Sequence, residues 1–250
     1  MQRETTYTVT RRRVLAGGAA VAGALALGAS GGRVAWAAST DGPAVGGCAA
    51  DVQSVLNLGL TLERLAVTFY YTGLTTPAVR DAIGRDPASS SALRAALAEE
   101  ALHVRLFTDF GAASAPSAFY FPVTTFNGPG YTSRPATFLG VLDRLETGFV
   151  AAYLAGVGHL GALGHTDLAL LLARTLAVES EHRALGRVMA GDDPVNNLTL
   201  EVAAPTCLDA AAVGLAPYLT GIGFHHGATA AIPLPSAAAV ARVAGPGRGL

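Results

Sequence analysis

Four long segments of this chain repeat apolar residues at helical spacing, and each carries one glutamate on its apolar stripe. The first opens at Asp51, a good N-cap residue, aligns Leu56, Leu60, Glu63, Val67 and Tyr70, and stops at Thr75-Thr76-Pro77. The second begins near Ser89-Ser90-Ser91, sets Leu93, Ala96, Leu97, Glu100, His103, Val104 and Phe107 on one face, and ends at Gly111. The third starts at Ser133-Arg134-Pro135, with proline in the first turn where its missing N–H is harmless, and aligns Leu139, Leu142, Glu146, Phe149, Val150 and Tyr153. The fourth, capped by Thr166, aligns Leu172, Thr175, Leu176, Glu179, His182 and Met189 and ends at Gly191. No region alternates with period two over a useful length, so the expected class is all-α and strands are not expected.

An ionised carboxylate inside an apolar core is prohibitively costly unless something positive shares the site. Only 14% of the residues are charged, so four glutamates on four core stripes stand out. Histidine completes the pattern. Glu100-Ala101-Leu102-His103 and Glu179-Ser180-Glu181-His182 are both Glu-x-x-His, a spacing that puts carboxylate and imidazole on one helical face. They fall on the second and fourth helices, while the first and third offer one inward glutamate each. Tyr70 and Tyr153 follow those single glutamates by seven residues. The chain reads as a duplicated helical hairpin about a pseudo-twofold axis.

The connections refine the topology. Short or moderate loops within each half suit antiparallel hairpins. Between the halves, Ala115-Pro116-Ser117-Ala118-Phe119-Tyr120-Phe121-Pro122 and Asn127-Gly128-Pro129-Gly130 mark a long connector. Helices of about 22 residues are about 33 Å long, a distance that roughly ten extended residues cover. The connector can therefore travel the whole bundle, which favours an up-down-down-up arrangement with one long crossover. Beyond Gly191 one short helix is expected near Ala210–Leu219, and the segment Ile232–Leu250 is expected to wrap or fray.

On these residues the chain resembles the ferritin-like superfamily, whose di-iron and di-manganese members use this set of glutamates and histidines. Within it, the chain is similar to the desiccation-related or ferritin-like-domain proteins of bacteria, some of which carry twin-arginine (Tat) signals. The resemblance covers Asp51 to Gly191 and implies a ferritin-like four-helix bundle. It also implies a dimetal site of Glu63, Glu100, His103, Glu146, Glu179 and His182. One carboxylate of each pair would bridge the metals, with Glu63 and Glu146 the more mobile ligands. Such a donor set suits Fe, or alternatively Mn, better than Zn.

The implied cofactor is two Fe ions, with O2 or peroxide as the small-molecule substrate. The activity classes are di-iron oxidase, ferroxidase or peroxidase, or manganese-type catalase. A non-catalytic envelope stress-protection protein with a structural or vestigial metal site stays open beside them. Tyr70 and Tyr153 are core residues by default and the candidates for a role beside the metals. Glu99 and Glu181 lie off the core stripes and are expected in solvent or beside arginine, with a place behind the metal ligands or on an entry path as the alternative. Asp143 is placed to orient a histidine of the neighbouring helix. His159 and His165 read as surface residues, and the pair His225-His226 lacks carboxylates or cysteine nearby. No Ser-His-Asp arrangement or phosphate-cradling glycine loop is convincing.

The mean hydropathy of +0.40 raises the membrane question, which the N-terminal region answers. Arg11-Arg12-Arg13-Val14-Leu15 precedes an uncharged run to Ser30 and then Ala35-Trp36-Ala37. A basic region, an apolar region and a small-x-small step make a removable export signal. Its paired arginines resemble the Tat class. The expected organisation is a signal at 1–37, a flexible segment at 38–50, the bundle at 51–191 and a C-terminal extension at 192–250.

The signal takes five arginines and one glutamate from a chain with 17 basic and 18 acidic residues, leaving a domain of net charge −5. That excludes the basic footprint of a nucleic-acid binder. The Tat machinery is the expected partner, and membrane association is expected only if the signal stays uncleaved. The protein would be periplasmic, in the cell envelope or extracellular, where Cys48 and Cys207 are permitted a disulfide. Oligomeric state is left open.

Overall fold

The computed structural model describes residues 51–127, 137–194, 208, 214–224 and 228–245. The export signal, the segment 38–50, Cys48, Cys207, the helix start expected at Ser133-Arg134-Pro135 and the pair His225-His226 lie outside the described residues. Helix α1 (Val52–Thr75) is capped by Asp51, whose carboxylate accepts from the Ser54 amide at 2.7 Å. A short helix, α2 (Pro77–Ile83), follows where only a stop was expected. Asp86 then caps α3 (Pro87–Asp109), accepting from the Ala88 and Ser89 amides. The second long helix thus begins ahead of the serine triplet, because Asp86-Pro87 supplies both a cap and a first-turn proline.

Thr137 caps α4 (Phe138–Ala162), and α5 (Thr166–Ala190) ends at Gly191, which adopts the left-handed conformation with φ +78°. Thr166 is the first residue of α5 rather than its cap. Gly164, at φ +81°, turns the chain between the two helices and leaves His165 in the cap position.

Side-chain pairings fix the helix directions. Glu63 faces His103, and the ring of Phe107 fills the space beside Gly59, so α1 and α3 are antiparallel. Leu142 fills the space beside Gly186, and Leu172 fills the space beside Gly156, so α4 and α5 are antiparallel. Tyr70 meets Glu146 while Tyr153 meets Glu63, which makes α1 and α4 antiparallel as well. The resulting order is up, down, down, up. Since α3 and α4 run the same way, the connector must return the length of the bundle, as the sequence implied.

Two close approaches tighten the pairs in mirror fashion. Four residues before the single glutamate of each half, and four after its histidine, stand Gly59 with Phe107 in one half and Leu142 with Gly186 in the other. The large residue changes sides while the glycine always faces it, so each helix pair closes over the site with one side chain instead of two.

The fold is all-α as expected, and the connector and the tail add one small two-stranded sheet where no strand was expected. Strands β1 (Ala118–Pro122) and β2 (Thr229–Pro233) pair antiparallel, with Phe119 opposite Ile232 and Phe121 opposite Ala230. Phe119 and Phe121 point inward from β1, and Phe121 and Phe126 sit beside Phe69 of α1, itself stacked on Phe138 at 4.6 Å. Burying each such ring contributes about 1.5–3 kcal/mol, which fastens the crossover to the bundle flank.

Helix α6 (Ala216–Thr220) brings Tyr218 against Phe121. Helix α7 (Ala237–Ala244) packs on α3, where the Arg94 guanidinium donates to the Val243 carbonyl. The described part of the tail therefore wraps onto the bundle, the first of the two outcomes expected for it. Among the described residues, no helix is long and apolar enough to cross a membrane.

Candidate metal centre

All four stripe glutamates reach one place midway along the bundle. Glu63, Glu100, Glu146 and Glu179 are each at most 1% exposed, and His103 and His182 are buried beside them. Their donor atoms form two overlapping groups, Glu63, Glu100, His103 and Glu179 in one and Glu100, Glu146, Glu179 and His182 in the other, with the atoms of each group within 4.8 Å of one another. Glu100 and Glu179 belong to both groups. Each group thus combines the carboxylates of both Glu-x-x-His motifs with one histidine and one single glutamate.

The imidazoles face the carboxylates through Nδ1. That of His103 lies 3.2 Å from Glu63, 3.5 Å from Glu100 and 3.4 Å from Glu179. That of His182 lies 3.0 Å from Glu100 and 3.4 Å from Glu179. Close as these atoms are, they are poorly satisfied. Both oxygens of Glu100, both of Glu179, Oε2 of Glu146 and Nδ1 of His182 are buried without a hydrogen-bond partner. A buried carboxylate oxygen without a donor costs about 1–3 kcal/mol or more. Five such oxygens and one imidazole nitrogen converging on one space fit a divalent cation.

Without a cation, protons take over the charge balance. Burial drives Glu63 well above the usual carboxylate range, and repulsion by Glu100 and Glu179 adds to it against the pull of His103. Burial and the charge of Glu179 do the same to Glu146. Burial would also raise Glu100, but the imidazoles of His103 and His182 outweigh it and hold this carboxyl well below its ordinary value. Burial disfavours both imidazolium ions, yet Glu63, Glu100 and Glu179 raise His103, and Glu100, Glu179 and Glu99 raise His182. The cluster is thus organised to hold positive charge at its centre.

Two tyrosines cross the bundle to complete it. Tyr70 of α1 donates to Oε1 of Glu146 at 2.5 Å, and Tyr153 of α4 donates to Oε1 of Glu63. Burial, and then the facing carboxylates, push both phenols well above their ordinary range, so each stays a proton donor. Tyr70 also sets its ring edge-on to His182, and Tyr153 stacks on Phe107.

Other residues fall differently from their sequence reading. Glu99 reaches His182, with Oε2 at 2.8 Å from Nε2, in place of an arginine or open solvent. A glutamate beside Glu100 points sideways from the core stripe, and the imidazole of the antiparallel neighbour projects to that side. Asp143 does not orient a histidine. Half-turned to solvent, it meets Arg187 at 3.4 Å and Arg183 at 3.8 Å, because those arginines lie one and a half turns or less along α5 from His182 and face it first. Arg183 is itself buried and donates to Thr147 at 2.8 Å. His159 is buried, not on the surface, since it continues the inward row of Ala152 and Ala155. His165 and Glu181 are exposed as expected.

A ferritin-like domain model matches residues 51–192. The chain belongs to the ferritin-like domain family. No match is found among curated proteins or among solved structures. Within this ferritin-like domain, the buried glutamates and histidines form a cluster that could hold metal, with Tyr70 and Tyr153 fastened to its two outer carboxylates.

Proposed function

We propose that this ferritin-like protein is a carboxylate-bridged dimetal protein that carries two Fe ions, or alternatively Mn, and reacts with O2 or peroxide during oxidative or desiccation stress outside the cytoplasm. The observation that carries the reading is the pair of overlapping four-residue groups, each with one histidine and three carboxylates, in which six buried donor atoms lack hydrogen-bond partners. Glu63 and His103 would hold one ion, Glu146 and His182 the other, and Glu100 and Glu179 would be shared. Two bound iron ions would supply the electrons by which O2 or peroxide is reduced.

The chain's own residues keep that chemistry dry and charge-balanced. Four carboxylates match the charge of two divalent cations, and their burial behind Phe107, Leu142 and Phe149 excludes bulk water. Tyr153 and Tyr70 orient Glu63 and Glu146 and hold a proton at the phenolic oxygen next to each. Export by the Tat machinery, proposed from Arg11-Arg12-Arg13 ahead of an uncharged apolar run, would let the bundle fold around its metal before leaving the cytoplasm. The stress role rests on the sequence resemblance to desiccation-related proteins proposed for Asp51 to Gly191.

The test is metal analysis and optical spectroscopy of the protein recovered in its exported form, followed by ferrous-iron and peroxide turnover. Two equivalents of iron with a bridged di-iron absorbance and turnover are expected. Manganese with peroxide dismutation would select the catalase form, and bound metal without turnover would select a structural role. Absence of stoichiometric metal sinks the reading.

A further inference from the structure

The two halves of the centre share one ligand pattern, and they differ in what stands behind one imidazole. Glu99 precedes Glu100 on α3, whereas Val178 precedes Glu179 on α5. Glu99 Oε2 lies 2.8 Å from Nε2 of His182, the nitrogen opposite the one that faces the inner carboxylates. Valine offers no acceptor, so Val178 cannot serve His103 in the same way. In both halves a buried single glutamate is tied to a tyrosine and the imidazole turns Nδ1 to Glu100 and Glu179, with Nδ1 of His103 also 3.2 Å from Glu63. An imidazole whose outer N–H is given to a carboxylate is held in one tautomer and orientation and is a better donor at its inner nitrogen.

We propose that Glu99 is a positioning residue that makes the two cation positions unequal. The position formed by Glu100, Glu146, Glu179 and His182 fills first and holds its cation more tightly than the one formed by Glu63, Glu100, His103 and Glu179. This rests on the dimetal reading above. Partners of this kind change metal affinity by about 10–100-fold. The Glu99 side chain is 47% exposed, so water screens it and the low end, about tenfold, is expected.

The test is an anaerobic titration of the metal-free full chain with Co2+, followed by calorimetry and by the visible absorption of bound cobalt. Wild type shows two steps about tenfold apart. Glu99→Gln weakens the first step by about that factor, leaves the second in place and shifts the absorption of the first cobalt. Val178→Glu tightens the second step, and Glu181→Gln, an exposed acid next to His182, moves neither. His182→Ala removes the first step and His103→Ala the second. An unchanged melting temperature of metal-free Glu99→Gln separates positioning from folding. Two equal steps in wild type, or a Glu99→Gln variant in which both steps weaken alike, overturns the proposal. Failure of wild type to bind two equivalents overturns the dimetal reading and this inference with it.

Discussion

Tyr153 on α4 donates its hydroxyl to Glu63 on α1, across the bundle and between the two sequence halves. Tyr70 returns the same contact from α1 to Glu146 on α4 at 2.5 Å. Each outer carboxylate is therefore fastened by the opposite half, and the halves cannot slide past one another without breaking both bonds. Tyr153→Phe removes the donor and keeps the ring that stacks on Phe107. The metal-free protein should lose about 1–3 kcal/mol, read as a lower denaturant midpoint with unchanged slope. An unchanged midpoint would show that this hydroxyl does not help close the bundle.

The shared carboxylates predict a stoichiometry. Glu100 and Glu179 belong to both donor groups, whereas Glu63 and Glu146 belong to one each. Glu100→Gln should abolish loading of both equivalents, while Glu63→Gln should leave one. Metal analysis after equilibration with excess Mn2+ distinguishes them. Equal losses from the two variants would contradict the shared role of Glu100.

The proton inventory sets a pH dependence with a definite sign. Glu63 and Glu146 are held above their ordinary value of 4.5 in the folded, metal-free chain, so from pH 4.5 upward the unfolded chain releases protons that the folded one retains. His103 and His182 are raised above 6.5, so their contribution is complete below that pH and is lost progressively above it. Glu100, held low, contributes a constant amount above 4.5. Metal-free stability should therefore fall as pH rises from 5 to 8. Metal binding displaces these protons and strengthens over the same interval. Melting temperatures with and without Mn2+ should diverge steadily with pH, and a gap that narrows would refute this account.

The bundle and the convergence of its six central side chains were legible because both depend on one variable, the position of a residue around a helix. Glu63, Glu100, Glu146 and Glu179 keep helical register with leucines and phenylalanines, so the burial of the leucines carries the glutamates inward. Contacts that depend on the depth and rotation of a neighbouring helix were not legible in this way. Glu99 meets His182, and Asp143 meets Arg187, through the relative turn of α3, α4 and α5, which no single helix encodes. The β1–β2 ladder was hidden for a different reason. Its partners are separated by the whole second half of the bundle, and β2 offers only Thr229-Ala230-Ala231-Ile232-Pro233, too small and too weakly alternating to announce a strand.

The mirror-image packing around the site gives a prediction that does not involve metal. A Cβ at Gly59 would lie 2.2 Å from the Phe107 ring, and one at Gly186 would lie 2.8 Å from Leu142. Phe107 is fully buried and stacked on Tyr153, so it cannot rotate away without disturbing the donor to Glu63. Gly59 has ordinary helical geometry, which makes the obstacle steric, not conformational. Gly59→Ala should destabilise by about 1–3 kcal/mol despite alanine's higher helix propensity. Pairing it with Phe107→Leu shifts the bulk across the interface toward the Gly186–Leu142 arrangement of the other half. The double variant should be more stable than the sum of the two single losses implies, a coupling that a double-mutant cycle measures. Additive losses would show that the two halves do not use interchangeable packing.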